Sequence, residues 1–155
     1  MIILGIDPGT TRIGFGIIKV NNNKIECISY GTIENSAQDK YFLYKNVSLE
    51  ISKLVSKYKP QLAVIEKLFF FKNHKTIMSV SEMRGVIMLS LFNSDIKIIE
   101  LTPLQVKSYL CGYGSADKKQ VQRMVKIILK LDKDIKPDDA ADALALAISS
   151  SGYSG

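Results

Sequence analysis

The 155-residue chain has one histidine, His74, and two cysteines, Cys27 and Cys111. A lone histidine excludes any mechanism that needs a histidine pair. Two thiols are too few for a disulfide framework or a zinc cluster, which fits a reducing cytoplasm. No apolar run is long enough to span a bilayer. The basic-then-apolar pattern of a secretory leader is missing too, because Met1 leads straight into a strand-like run. There are no repeats and no low-complexity segments. Phosphoryl chemistry in such a chain would have to rest on carboxylates and metal.

What is present is a core and a charge. The length suits one domain, read here as 1–150 with a flexible tail over 151–155. Apolar residues make up 46% and the mean hydropathy is +0.09, both globular values. A net charge of +6 and an isoelectric point near 9.2 favour a polyanionic partner.

The chain is organised around MIILGIDPGTTRIGFGIIK. Ile2-Ile3-Leu4 reads as a buried strand, Pro8-Gly9 as a turn, and residues 13–18 as a second strand returning antiparallel. A third strand over 24–33 completes a meander. Helical spacing of apolar residues follows over 39–58, stopped by Pro60. Leu62-Ala63-Val64-Ile65-Glu66 repeats the opening theme, an apolar strand ending in an acid, as expected of a sheet covered on both faces. A helix over 76–92 is apolar all round in its second half, which predicts burial on more than one side. Residues 96–101 read as a strand. Thr102-Pro103 then makes an N-cap and N1 pair for a helix ending before Gly112. Two more helices, over 115–131 and 138–150, complete an α/β domain with a mixed sheet.

Asp7 and Glu66 both end apolar strands, where a buried acid is costly unless its charge is used. On the strand alone, a turn-capping role for Asp7 stays open. In the last helix Asp138 or Asp139 shares a face with Asp142, and the alanines around them let the helix approach the sheet closely. First-turn acids also complement the helix dipole, which accounts for Asp138 but poorly for Asp142. Converging carboxylates with no histidine or thiolate are hard oxygen ligands suited to Mg²⁺ or Mn²⁺. Two such ions can drive an in-line phosphodiester displacement. On the preceding helix Lys119, Arg123, Lys126 and Lys130 form a basic row with no acid at i+4 spacing, which tilts it from a plain solvated face toward phosphate.

With these residues in place, the chain resembles the RuvC family of Holliday-junction resolvases, crossover junction endodeoxyribonucleases with a ribonuclease-H-like fold. The segments LGIDPGTTRIGFGII, AVIEKLFFFKN, RGV, QVKSYLCGYGSADKKQV, MVKIILKL and DDAADALALAI carry the resemblance, in that order, over nearly the whole chain. It implies a ribonuclease-H-like mixed β-sheet flanked by helices. It also implies a catalytic, metal-binding set of Asp7, Glu66, Asp139 and Asp142, holding Mg²⁺ (Mn²⁺ as a substitute), two ions per site. The family's acid three residues before the second helix aspartate selects Asp139, while the doubled acid leaves the register open; Asp138 is then expected to be the N-cap. Lys107 and Lys118 match basic positions near the scissile phosphate, and Phe69 an aromatic that contacts unpaired bases, in a triple-Phe run more aromatic than the family requires. The implied protein is a homodimer, paired through the helix around 85–91, that nicks opposed strands of four-way junction DNA alongside the RuvA and RuvB branch-migration proteins. GIDPGTT also resembles the first phosphate loop of sugar kinases and actin-like ATPases, but such proteins need a second similar half and a Gly-rich adenosine loop. A non-catalytic junction-binding protein would suit the basic balance but leaves the placement of the acids unexplained.

Overall fold

Strand β1 (Ile2–Asp7) sits at the centre of a five-stranded sheet ordered β3-β2-β1-β4-β5. β2 (Arg12–Asn21) and β3 (Lys24–Glu34) pair antiparallel as the predicted meander, with a bulge between Ile17 and Ile18. β4 (Leu62–Glu66) and β5 (Lys97–Leu101) add parallel strands on the other side. The sheet is therefore mixed, as expected. The computed structural model describes residues 1–22, 24–34, 39–68 and 74–152, and of 74–76 the backbone only.

Side-chain alternation sorts the strands onto two cores. Ile3, Leu62 and Val64 face one side, Leu4, Ile6, Ala63 and Ile65 the other. α1 (Lys40–Tyr58) and α2 (His74–Phe92) cover the second side. α3 (Pro103–Cys111), α4 (Lys118–Ile128) and α5 (Asp138–Ser149) cover the first. The helix ends are chemically specified. Asp39 caps α1 by accepting from the N–H groups of Tyr41 (2.8 Å) and Phe42 (3.1 Å). Thr102 and Gln105 form a reciprocal capping box on α3, which ends at Gly112 with φ +84°.

α5 lies against β1 and β2 at backbone distance. A methyl group at Gly5 would overlap the carbonyl of Ala143, and one at Gly14 the carbonyl of Asp139. Glycine in the strands and alanine in the helix (Ala140, Ala141, Ala143, Ala145 and Ala147, all buried) remove the side-chain layer between them. The expectation for α2 needs correcting. Met83, Ile87 and Leu91 are buried, but Met78, Gly85, Leu89 and Phe92 are exposed, so its apolar second half covers the core on one side only. Among the described residues no helix is long and apolar enough to cross a membrane.

Candidate active site

Strand parity delivers the first two acids. Asp7 continues the Ile3, Gly5 series on β1, and Glu66 the Leu62, Val64 series on β4, so both face α5. The parallel register pairs Ile6 with Ile65, so Asp7 and Glu66 end their strands at the same level. α5 supplies Asp142 from above, and α4 supplies Lys118 from the side. A cleft of about 200 Å³ is lined by Asp7, Glu66, Asp142, Lys107 and Lys118, with Pro103 and Val106 on its apolar wall.

The electrostatics of the cleft are strained. Burial, then repulsion from Glu66, Asp142 and Asp139, pushes the Asp7 carboxyl up to about 8 from an ordinary 3.8, against the pull of Lys118. Glu66 is raised by burial and by Asp142. Asp142 is raised by burial, although Lys118 works the other way. Lys118 Nζ lies 2.9 Å from Asp142 Oδ2 and 3.4 Å from Asp138 Oδ2. Burial draws its pKa down, but the hydrogen bonds and charges of these two acids leave it raised on balance. Lys118 is also the first residue of α4, where the helix dipole disfavours a cation. The aspartates of α5 hold it there.

The helix registers correct two expectations. α4 begins at Lys118 rather than 115, because Asp117 and Gln120 form a capping box (2.8 and 2.7 Å). It ends at Ile128, so Lys130 lies beyond it in a left-handed conformation, φ 51°. On α5, Pro137 is the N-cap with no side-chain hydrogen bond, so Asp138 is not the cap. Asp138 instead occupies the first helical position and pairs with Lys118, its side chain 62% exposed. Asp139 falls one position later at the rim, 3.5 Å from Arg12 Nη1, where Arg12 also approaches Glu34 (3.9 Å). Asp139 and Asp142 stay one turn apart.

Beyond the N-terminus of α5 a second concavity, of about 890 Å³, is lined by Lys119, Arg123, Lys126, Lys130, Lys136 and Asp138, among others. The basic row is not wholly unpaired. Lys126 donates to Asp134 at 2.8 Å, an acid brought by the loop after α4 rather than by helical spacing. Lys119 and Arg123 have no acidic partner among the described residues. Phe69 lies outside the described residues.

Sequence reasoning missed two cations at the acids. Arg12 gave no periodic signal, since its partner is 127 residues away. Arg84 precedes the apolar second half of its helix, takes no role of its own from sequence reasoning, and donates from Nε to the carbonyl of Glu66 at 3.4 Å. The glycines did carry a signal. Gly5, Gly14 and Gly16 share the strand face of Asp7, and only a close-lying helix requires that.

The family model of crossover junction endodeoxyribonuclease RuvC matches residues 3–150. The chain belongs to the RuvC family. The crossover junction endodeoxyribonuclease RuvC of Caldanaerobacter subterraneus subsp. tengcongensis is 46% identical over 149 residues, covering 96% of this chain and 90% of that one. Its counterpart from Petrotoga mobilis is 48% identical over 150 residues, covering 95% and 91%. The structure of Thermus thermophilus RuvC in complex with Holliday junction substrate superposes with a TM-score of 0.93 at 28% identity, covering 99% of this chain and 94% of that chain. The ribonuclease-H-like mixed sheet expected from the resemblance is thus the fold of this RuvC family member.

Proposed function

We propose that this RuvC family member is a structure-selective endonuclease that resolves four-way DNA junctions, in the cytoplasm, by paired nicks in opposed strands. The observation that carries this is the convergence of Asp7, Glu66 and Asp142 with Lys107 and Lys118 on one cleft at the strand tips. Among the described residues no three His, Cys, Asp or Glu side chains already form a ready-made ion site. The donors nevertheless suit a hard divalent cation, being all oxygen, and their mutual repulsion at Asp7 is what such a charge relieves. Asp7, Glu66, Asp139 and Asp142 are the ligands of this reading, for two Mg²⁺ ions with Mn²⁺ as a substitute. Bound there, the ions supply water activation and stabilisation of the leaving oxygen.

The chain's own groups do the rest. Lys107 and Lys118 place positive charge on the cleft wall and draw in one phosphodiester. Lys119 and Arg123, with Lys126 shared with Asp134, extend the positive surface along α4 for the backbone of a DNA arm. Phe69, from the segment that leaves β4 after Glu66, is the side chain of this reading that meets unpaired bases. Two opposed nicks need two sites, and the exposed stripe Met78, Gly85, Leu89 and Phe92 on α2 is the surface for a homodimer. RuvA and RuvB are its protein partners in this reading.

The test is incubation with a synthetic four-way junction and a linear duplex, with Mg²⁺ or EDTA. Symmetric nicking of the junction alone, only with Mg²⁺, is expected. Equal cutting of the duplex, or full activity in EDTA, overturns the reading. In a junction-binding titration in EDTA at varied salt, Lys119→Ala and Arg123→Ala should each lower the log–log salt slope by about 0.9.

A further inference from the structure

We propose that Arg84, on the face of the sheet opposite the cleft, is the positioning residue that sets the carboxylate of Glu66. The inference rests on the site reading above. Glu66 is the last residue of β4, so the sheet holds it from one direction only. The peptide unit that follows it is held at both ends. The N–H of Lys67 donates to Leu101 of β5 at 2.8 Å, while the carbonyl of Glu66 accepts from Arg84 Nε at 3.4 Å. Fixing that unit fixes the backbone torsion that aims the Glu66 side chain.

The guanidinium is itself held. Arg84 Nη2 is paired with Glu100 Oε1, and Glu100 stands opposite Ile65 in the β4–β5 register. The Arg84 side chain is 19% exposed and reaches out to Glu100, which is 33% exposed at the edge of the protein. Arginine suits this task because its donors lie in one rigid plane, with Nε and Nη2 free to serve two acceptors at once. A lysine ammonium has three donors but no rigid planar fork, so it does not fix the carboxylate and the carbonyl relative to each other. Arg84 is also next to Gly85 in the exposed stripe of α2, so the residue that sets the site is rooted in the helix offered to a second copy.

Arg84→Lys keeps a cation for Glu100 and removes the fork. Removing the support of a metal ligand typically costs 10–100-fold in metal affinity or activity. Arg84→Lys should therefore lower kcat for junction nicking by about 10-fold or more at saturating Mg²⁺. KM and junction binding in EDTA should stay at parent values. The Mn²⁺ concentration that gives half-maximal thermal stabilisation should rise by a similar factor. Glu100→Gln, which leaves Arg84 in place but loses the charge that orients it, should shift both in the same direction by less; it carries the test if Arg84→Lys fails to fold. Parent values of kcat and of the Mn²⁺ midpoint in the folded variants, with only the melting temperature lowered, would overturn the proposal and leave Arg84 a structural tie. The Mn²⁺ midpoint is read without cleavage, so it decides the role of Arg84 even if the parent fails to nick. That failure would fall on the nuclease reading alone.

Discussion

On one face of the sheet α5 lies so close that β1 and β2 meet it with Gly5, Gly14 and Gly16. On the other, α1 and α2 stand off on Leu4, Ile17, Ile51, Met83, Ile87 and Leu91, all fully buried. The close face has little freedom. Backbone meets backbone, and the four acids are carried on the elements that touch there. The stand-off face is an ordinary side-chain core, and its helices still expose Tyr41, Phe42, Leu49, Leu89 and Phe92. The difference shows where precision is needed. A site built from two strand tips and a helix needs those elements fixed to each other, and small residues do this better than interdigitated large ones.

The largest effect should come from breaking the close face. Gly5→Val places a Cβ well inside contact distance of the Ala143 carbonyl oxygen, with two methyls beyond it, and backbone cannot move aside cheaply. Urea unfolding should show a loss above about 3 kcal/mol, beyond the usual range for overpacking. Ile87→Val, a change of one methylene on the stand-off face, should cost about 0.5–1.5 kcal/mol. Comparable losses at the two positions would erase the distinction between the faces.

A second test sharpens the comparison through pH. The folded protein keeps the Asp7 proton up to about pH 8, whereas the unfolded chain loses it near 3.8. The folded state therefore binds more protons in that window, and stability in EDTA should fall as pH rises through it. Asp7→Asn removes the share of this dependence that Asp7 carries, while the raised Glu66 and Asp142 keep theirs. At pH 8 in EDTA the variant should be more stable than the parent by on the order of a few kcal/mol, with little difference at pH 4. Nicking should be abolished while junction binding survives. Thermal melts at the two pH values check the sign, and a variant less stable than the parent at pH 8 would contradict it.

Much of the close face was legible in the sequence, because it follows from local rules. Apolar runs ending in Asp7 and Glu66 announce strands whose parity puts both acids on one side. The alanines of DDAADALALA announce a helix that can come near. Several errors have one cause, which is that charges are answered by residues off the helix that carries them. Lys126 looked unpaired because Asp134 reaches it from a loop. Arg12 and Asp139 are 127 residues apart, and no periodicity links them. The helix starts slipped where a capping side chain decided the register, at Asp117, or where none did, at Pro137. Arg84 stands in the RGV segment that carries the resemblance, but nothing local in that segment tells that it reaches Glu66 and Glu100.

The smallest expected effect separates two neighbouring acids. Had Asp138 capped α5, its removal would cost about 1 kcal/mol. With Pro137 as the cap, Asp138 keeps only a dipole contribution and a largely exposed pair with Lys118 at 3.4 Å. Such pairs are worth roughly 0–1 kcal/mol. Asp138→Ala should therefore cost about 0.5 kcal/mol and leave turnover of the folded protein largely intact. Asp139 makes an equally modest contact with Arg12 at 3.5 Å, half in solvent. Asp139→Asn should accordingly change stability by no more than about 0.5 kcal/mol. It should nevertheless destroy nicking, because Asp139 is the acid one turn from Asp142 that adds to the charge at Asp7. The two variants should thus be nearly indistinguishable in a melt and opposite in a cleavage assay. An inactive Asp138→Ala beside an active Asp139→Asn would move the ligand to the first position of the helix, and make the Lys118 pair a competitor for the metal rather than a support for α4.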